Sequence, residues 1–113
     1  MLFRSAPGTI LVVDVAGLTG DQQSLVTTEN GPDGAPILVV RDGPRAFRAL
    51  SMPCTHEGCP LNPPARGTIS CPCHGSQFDL SGKVLKGPAV YPLGQYATRF
   101  DRETNRLTVR FGA

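Results

Sequence analysis

The 113-residue chain has no tryptophan, two tyrosines and only two lysines among its eleven basic residues. Two tyrosines and no tryptophan leave little for a platform on which nucleic-acid bases could stack. The net charge is only +2 and the nine arginines are scattered, so no groove for a phosphate backbone is expected. Long apolar runs are also missing. The longest, residues 9–13 and 37–40, fall far short of the ~20 residues a membrane-crossing helix needs, and no membrane span is expected in this chain. The opening Met1-Leu2-Phe3-Arg4 lacks a basic stretch followed by a long apolar one, which argues against a signal peptide at this position.

Glycine and proline are plentiful, at 13 and 11 residues. Glycine carries an entropic cost inside a regular element and proline removes a backbone donor, so the chain should have many turns and few long helices. The length fits one domain spanning residues 1–113. A core of that size benefits from a covalent or metal staple.

The pattern at both ends is that of strands. Residues 9–15 (TILVVDV) are rich in β-branched side chains, residues 24–28 (SLVTT) form a second short run and residues 37–41 (ILVVR) a third. Asn30-Gly31 and Asp33-Gly34 mark a turn, and Asp42-Gly43-Pro44 marks another before a return over residues 46–50. Residues 96–101 and 106–111 alternate across a polar turn at 102–105 and read as a last hairpin. The expectation is an all-β domain whose base strands lie at about 9–51 and 93–111.

An insertion, about residues 52–92, separates these halves. It holds seven of the eleven prolines, all four cysteines and both histidines. Prolines at 53, 60, 63 and 64 exclude a helix, and residues 60–70 read as a plain loop. A segment so long needs internal anchoring.

Two boxes supply the chemistry. Box one is Cys54-Thr55-His56-Glu57-Gly58-Cys59; box two is Cys71-Pro72-Cys73-His74-Gly75-Ser76. Each contains two cysteines and one histidine, and four of these six groups would suffice for a metal, leaving two thiols that suggest a disulfide. Three assignments compete. A structural zinc site suits Cys and His, although neither box has the common C-x-x-C spacing. Two disulfides would leave both histidines unexplained. An iron–sulfur cluster would take one cysteine and one histidine from each box. Spacing alone leaves all three open.

C-T-H-x-G-C followed by C-P-C-H-G-S resembles the signature of Rieske 2Fe–2S proteins. The resemblance extends to Gly87-Pro88-Ala89, which is similar to the proline loop that covers the family's cluster. It implies a Rieske-type antiparallel β-sandwich or barrel base with an inserted cluster-binding subdomain of two loops. It also implies one 2Fe–2S cluster, with Cys54 and Cys71 on the inner iron and His56 and His74 on the outer, reducible one. Cys59 and Cys73 would form a disulfide between the loops. Ser76 matches a serine whose hydroxyl bonds a bridging sulfide, and Gly58 and Gly75 would let backbone N–H groups approach the sulfurs. Two positions depart from the pattern. Phe78 stands where high-potential members usually carry a tyrosine that donates to a ligand thiolate, which lowers the expected potential. Glu57 replaces an apolar tip residue that helps docking at a quinol site.

The implied function is one-electron transfer. Two ferric irons, two sulfides and two thiolates sum to zero charge, so reduction gives −1, against −3 for an all-thiolate cluster. Such centres lie at about −150 to +300 mV. The disulfide cysteines favour a role like that of the Rieske subunit in quinol-oxidising cytochrome bc-type complexes, because ferredoxins of ring-hydroxylating oxygenases lack them. The partners would be quinol and a redox protein, either a cytochrome or an oxidoreductase subunit. The place would be the periplasm or outer membrane face, where a disulfide persists, with this chain the soluble part of a longer precursor. The alternative is a soluble, cytoplasmic-capable ferredoxin or the small subunit of an oxygenase or an arsenite-oxidase-type molybdenum enzyme. A zinc-stabilised binding module is a third reading. Catalysis by this chain alone is not expected. Tyr91 and Tyr96 read as packing residues for the proline loop and the last strand, Asp79 as a turn cap, and Lys83 and Lys86 as part of a solvated face.

Overall fold

The computed structural model describes residues 10–32, 34–55 and 58–111. Among these residues nine strands follow one another: β1 (Ile10–Asp14), β2 (Ser24–Asn30), β3 (Pro36–Arg41), β4 (Phe47–Ser51), β5 (Thr68–Ser70), β6 (Gln77–Asp79), β7 (Val84–Lys86), β8 (Gln95–Asp101) and β9 (Arg106–Arg110). Six form an antiparallel sheet in the order β1-β9-β8-β4-β3-β2, curled into an almost closed barrel. The other three, β5-β6-β7, make a small sheet within residues 52–92. Among the described residues no helix is long and apolar enough to cross a membrane.

The hairpins expected from alternation are present. β8 pairs β9 with Thr98 opposite Val109, and β3 pairs β4 with Val39 opposite Ala49. β1 closes onto β9, so the first described strand lies beside the last. Along β8, exposed residues alternate strictly with half-buried ones, as in a strand with one wet face. The middle of β3 differs: four consecutive residues are buried. Ile37 and Val39 point into the barrel core with Ala49, Leu107, Val109 and Phe111, where Tyr96 packs edge-on against Phe111 with ring centroids 4.8 Å apart. Leu38 and Val40 point the other way, into a second core with Leu50, Met52, Ile69 and Phe78. The unbroken ILVV run thus reflects a strand covered on both faces. The second core glues the small sheet to the barrel.

Arg41, at the end of β3, gathers the turns around it. Its guanidinium donates to the carbonyls of Gly43 and Pro44 at 2.9 and 3.0 Å, and also to that of Leu18, and lies over the Phe47 ring.

Two elements depart from the sequence expectation. Residues 60–70 are not wholly loop, since Thr68–Ser70 is strand β5. β2 runs on to Asn30 through an irregularity after Val26. Three-residue strands carry too little alternation to be read from sequence.

Asp79, as expected, caps the β6–β7 turn. Its Oδ1 accepts from the Ser81 N–H at 2.9 Å, the Ser81 hydroxyl at 2.6 Å and the Lys83 N–H at 3.0 Å. Partial burial pushes its pKa up, but these bonds and the Lys83 charge outweigh that and hold it below the ordinary carboxylate value. A depressed folded-state pKa contributes stability above the unfolded value, near pH 4, which disappears as the pH falls through the folded pKa. Asp79→Ala should therefore cost about 1–2 kcal/mol at neutral pH. The difference from wild type should shrink as denaturant titrations are carried to more acidic pH; a difference independent of pH would contradict the capping role.

Candidate metal centre

The two boxes are built alike. In box one the Cys54 N–H donates to the Cys59 carbonyl at 2.8 Å and the Gly58 N–H to the Cys54 carbonyl at 2.7 Å. In box two the Cys71 N–H donates to the Ser76 carbonyl at 2.8 Å and the Gly75 N–H to the Cys71 carbonyl at 3.0 Å. Each loop thus closes over the same five-residue step, starting from its first cysteine. Gly58 and Gly75 turn with φ of 75° and 81°, in the left-handed region that favours glycine. Among the described residues nothing lies within 4 Å of where a Cβ would sit on either. Their own N–H groups are bonded to the cysteine carbonyls. An antiparallel bridge between Pro53 and Pro60 holds the base of box one, and the Ser70–Gln77 pair of β5 and β6 closes box two.

A disulfide joins the loops. Cys59 and Cys73 are bonded, their Cα atoms 6.5 Å apart. Cys59 occupies the last position of the box-one loop, whereas its partner is the third residue of box two. The equivalent last position in box two is Ser76. Cys54 and Cys71 are free thiols, each less than 5% exposed, and belong to the core cluster that includes Phe78. The Cys71 sulfur lies within 4.8 Å of both bridge sulfurs. His74 is exposed at the tip of box two. His56 and Glu57 lie outside the described residues.

A third loop, residues 87–92, is fastened to both boxes, and Gly87-Pro88 is a cis peptide. Ala89 is buried, and its N–H donates to the Ser76 hydroxyl at 3.0 Å. The Thr55 hydroxyl donates to the Tyr91 carbonyl at 2.6 Å. Sequence reasoning missed both clasps; the only signal was a hydroxyl residue in each box. It also placed the Tyr91 ring in packing, whereas that residue is 68% exposed beside Val90 at 77%.

The donors present suit an iron–sulfur centre. Two buried thiols on matched loops supply soft ligands inside, and an imidazole stands at the surface. Ser76 supplies a further test. Its side chain is fully buried and its oxygen accepts from the Ala89 N–H at 3.0 Å, which leaves the hydroxyl proton to be given to a further acceptor. A buried donor left without a partner costs about 1–3 kcal/mol, and a cluster sulfide would remove that cost.

Comparison with known proteins agrees. The family model described as the Rieske [2Fe-2S] domain matches residues 9–97. A cytochrome b6-f complex iron-sulfur subunit of Prochlorococcus marinus is 41% identical over 83 residues, 70% of this chain and 45% of that protein. Its counterpart in Chlorobaculum thiosulfatiphilum is 39% identical over 69 residues, 60% of this chain and 38% of its own length. This chain therefore spans less than half the length of either. Among solved structures, the cyanobacterial plasma membrane Rieske protein PetC3 from Synechocystis PCC 6803 superposes with a TM-score of 0.66 at 41% identity, covering 78% of this chain and 86% of that one. A chain of a hyperthermophilic respiratory Complex III gives a TM-score of 0.65 at 25% identity, covering 91% and 75%. The family's cofactor is one Rieske-type [2Fe–2S] cluster, which sets the zinc and two-disulfide readings aside. This all-β chain, with its paired Cys/His boxes, belongs to the Rieske [2Fe-2S] domain family.

Proposed function

We propose that this domain transfers single electrons in a quinol-oxidising, cytochrome bc-type chain. The observation that carries this reading is the Cys59–Cys73 bridge, which ties the boxes together and leaves Cys54 and Cys71 as the two remaining thiols. When bound, the cluster supplies one-electron redox chemistry in the range of about −150 to +300 mV. Cys54 and Cys71 would hold it from the core side and His74 from the exposed side, with His56 as the fourth ligand. Two neutral imidazoles in place of thiolates reduce the negative charge and so favour the reduced state. Gly87 and Pro88 screen the centre from water, a burial that also tunes its potential. Val90 and Tyr91, exposed next to that screen, offer an apolar contact to a cytochrome-bearing partner or a quinol pocket. The domain works on the exported side of a membrane, where its disulfide persists.

Phe78 supports a second reading, a ferredoxin-like or small-subunit role at lower potential. Its ring is fully buried in the core cluster that holds Cys54 and Cys71 and brings no hydroxyl to either thiol. A redox titration separates the two. A midpoint above about +100 mV fits quinol oxidation; one near or below about −100 mV contradicts it and favours the second role. Phe78→Tyr should raise the midpoint by about 40 mV, equivalent to roughly 1 kcal/mol for one electron. An unchanged midpoint in a folded, cluster-bearing variant would mean that no hydroxyl at position 78 reaches a ligand thiolate.

A further inference from the structure

The bond between the third loop and box two bears on how the centre is tuned. A serine hydroxyl has one proton to give and two lone pairs to accept with. Ser76 is fully buried, so water does not satisfy it. One lone pair receives the Ala89 N–H at 3.0 Å. Ala89 is itself buried at 3% and sits directly after Gly87-Pro88. A hydroxyl that accepts from one side must turn its proton away from that donor. Without the Ala89 bond, nothing would confine the Ser76 rotor to settings that turn its proton away from residue 89.

We propose that the backbone N–H of Ala89 is a positioning group that fixes the Ser76 hydroxyl as a donor toward the cluster, so that the seating of the proline loop sets part of the cluster's potential. This rests on the reading of Ser76 as a sulfide donor and adds the group that aims it. The loop then does more than exclude water. Its registration against box two enters the redox equilibrium through one hydrogen bond. The Thr55–Tyr91 clasp holds the same loop from the other side and keeps Ala89 in place.

The test uses the cluster-loaded protein and its midpoint potential. Replacing alanine 89 by its α-hydroxy analogue turns the 88–89 amide into an ester and removes only the N–H, leaving the side chain intact. Ser76→Ala removes the hydroxyl. The double variant completes the cycle. The ester should lower the midpoint in the presence of Ser76 and leave it unchanged in the Ser76→Ala background. Equal lowering in both backgrounds would overturn the proposal, because the N–H would not act through Ser76. An ester without effect, beside a Ser76→Ala variant that does lower the midpoint, would also overturn it while leaving Ser76 as a donor. A Ser76→Ala variant with an unchanged midpoint would remove the underlying reading as well. Amide exchange gives a measurement that needs no variant to fold: the Ala89 N–H of the wild type should exchange far more slowly than that of Val90. Equally fast exchange would contradict the bond.

Discussion

His74→Ala should yield a protein without a Rieske-type centre. His74 sits on the tip of box two, between the bridged Cys73 and the left-handed Gly75, on a loop closed by two backbone hydrogen bonds. The loop leaves little freedom for another side chain to take the imidazole's place. Losing merely the partner of a metal ligand typically costs 10- to 100-fold in affinity, and losing the ligand itself costs more. Iron content of the purified variant should fall to a small fraction of wild type, and the visible absorption should disappear. Ligation also contributes to folding, so the denaturation midpoint should fall with it. His56→Ala should behave the same way. A His74→Ala protein with wild-type iron and an unchanged spectrum would refute the ligand assignment.

Cutting the bridge should be the largest purely structural change. Cys59 and Cys73 are 14 positions apart, so their bond closes a 15-residue loop, worth about 3 kcal/mol on the chain-entropy account. The small sheet adds little of its own, because its strands are three residues each. Cys59→Ser should therefore lower the unfolding free energy by about 3 kcal/mol in denaturant titrations. Cys73→Ser and the double variant should lose the same amount, since either change removes the one shared bond. The cluster should still assemble, because neither residue is a proposed ligand. A loss under about 0.5 kcal/mol, the scale of an ordinary surface substitution, would mean that the bridge does not stabilise the fold.

Much of this architecture was legible in the residues. Alternation over residues 96–101 and 106–111 pointed to a hairpin because one face of β8 is wet. The ILVV run at 37–40 read as a strand as well, although its two-sided burial became clear only once the small sheet lay against it. The boxes were conspicuous because chemistry demands cysteine and histidine there. The three-residue strands of the small sheet were not legible, since three positions hold barely one period. Nor could spacing show that the two boxes share one backbone pattern. Beyond the first cysteine of each, their cysteines and histidines fall at different steps along it: Cys59 and Ser76 are backbone equivalents, yet one is a bridge residue and the other a buried hydroxyl. The clasps from Thr55 and Ser76 to residues 91 and 89 involve backbone atoms, which any residue supplies. A hydrogen bond to the main chain leaves little mark in a sequence.

The most direct test is electron paramagnetic resonance of the reduced protein, with iron, sulfide and zinc analysis of the same sample. A cluster held by two thiolates and two imidazoles predicts two irons and two acid-labile sulfides per chain. It also predicts a rhombic signal whose mean g lies below that of an all-thiolate centre. Zinc with no such signal, or an all-thiolate signal, would contradict the account.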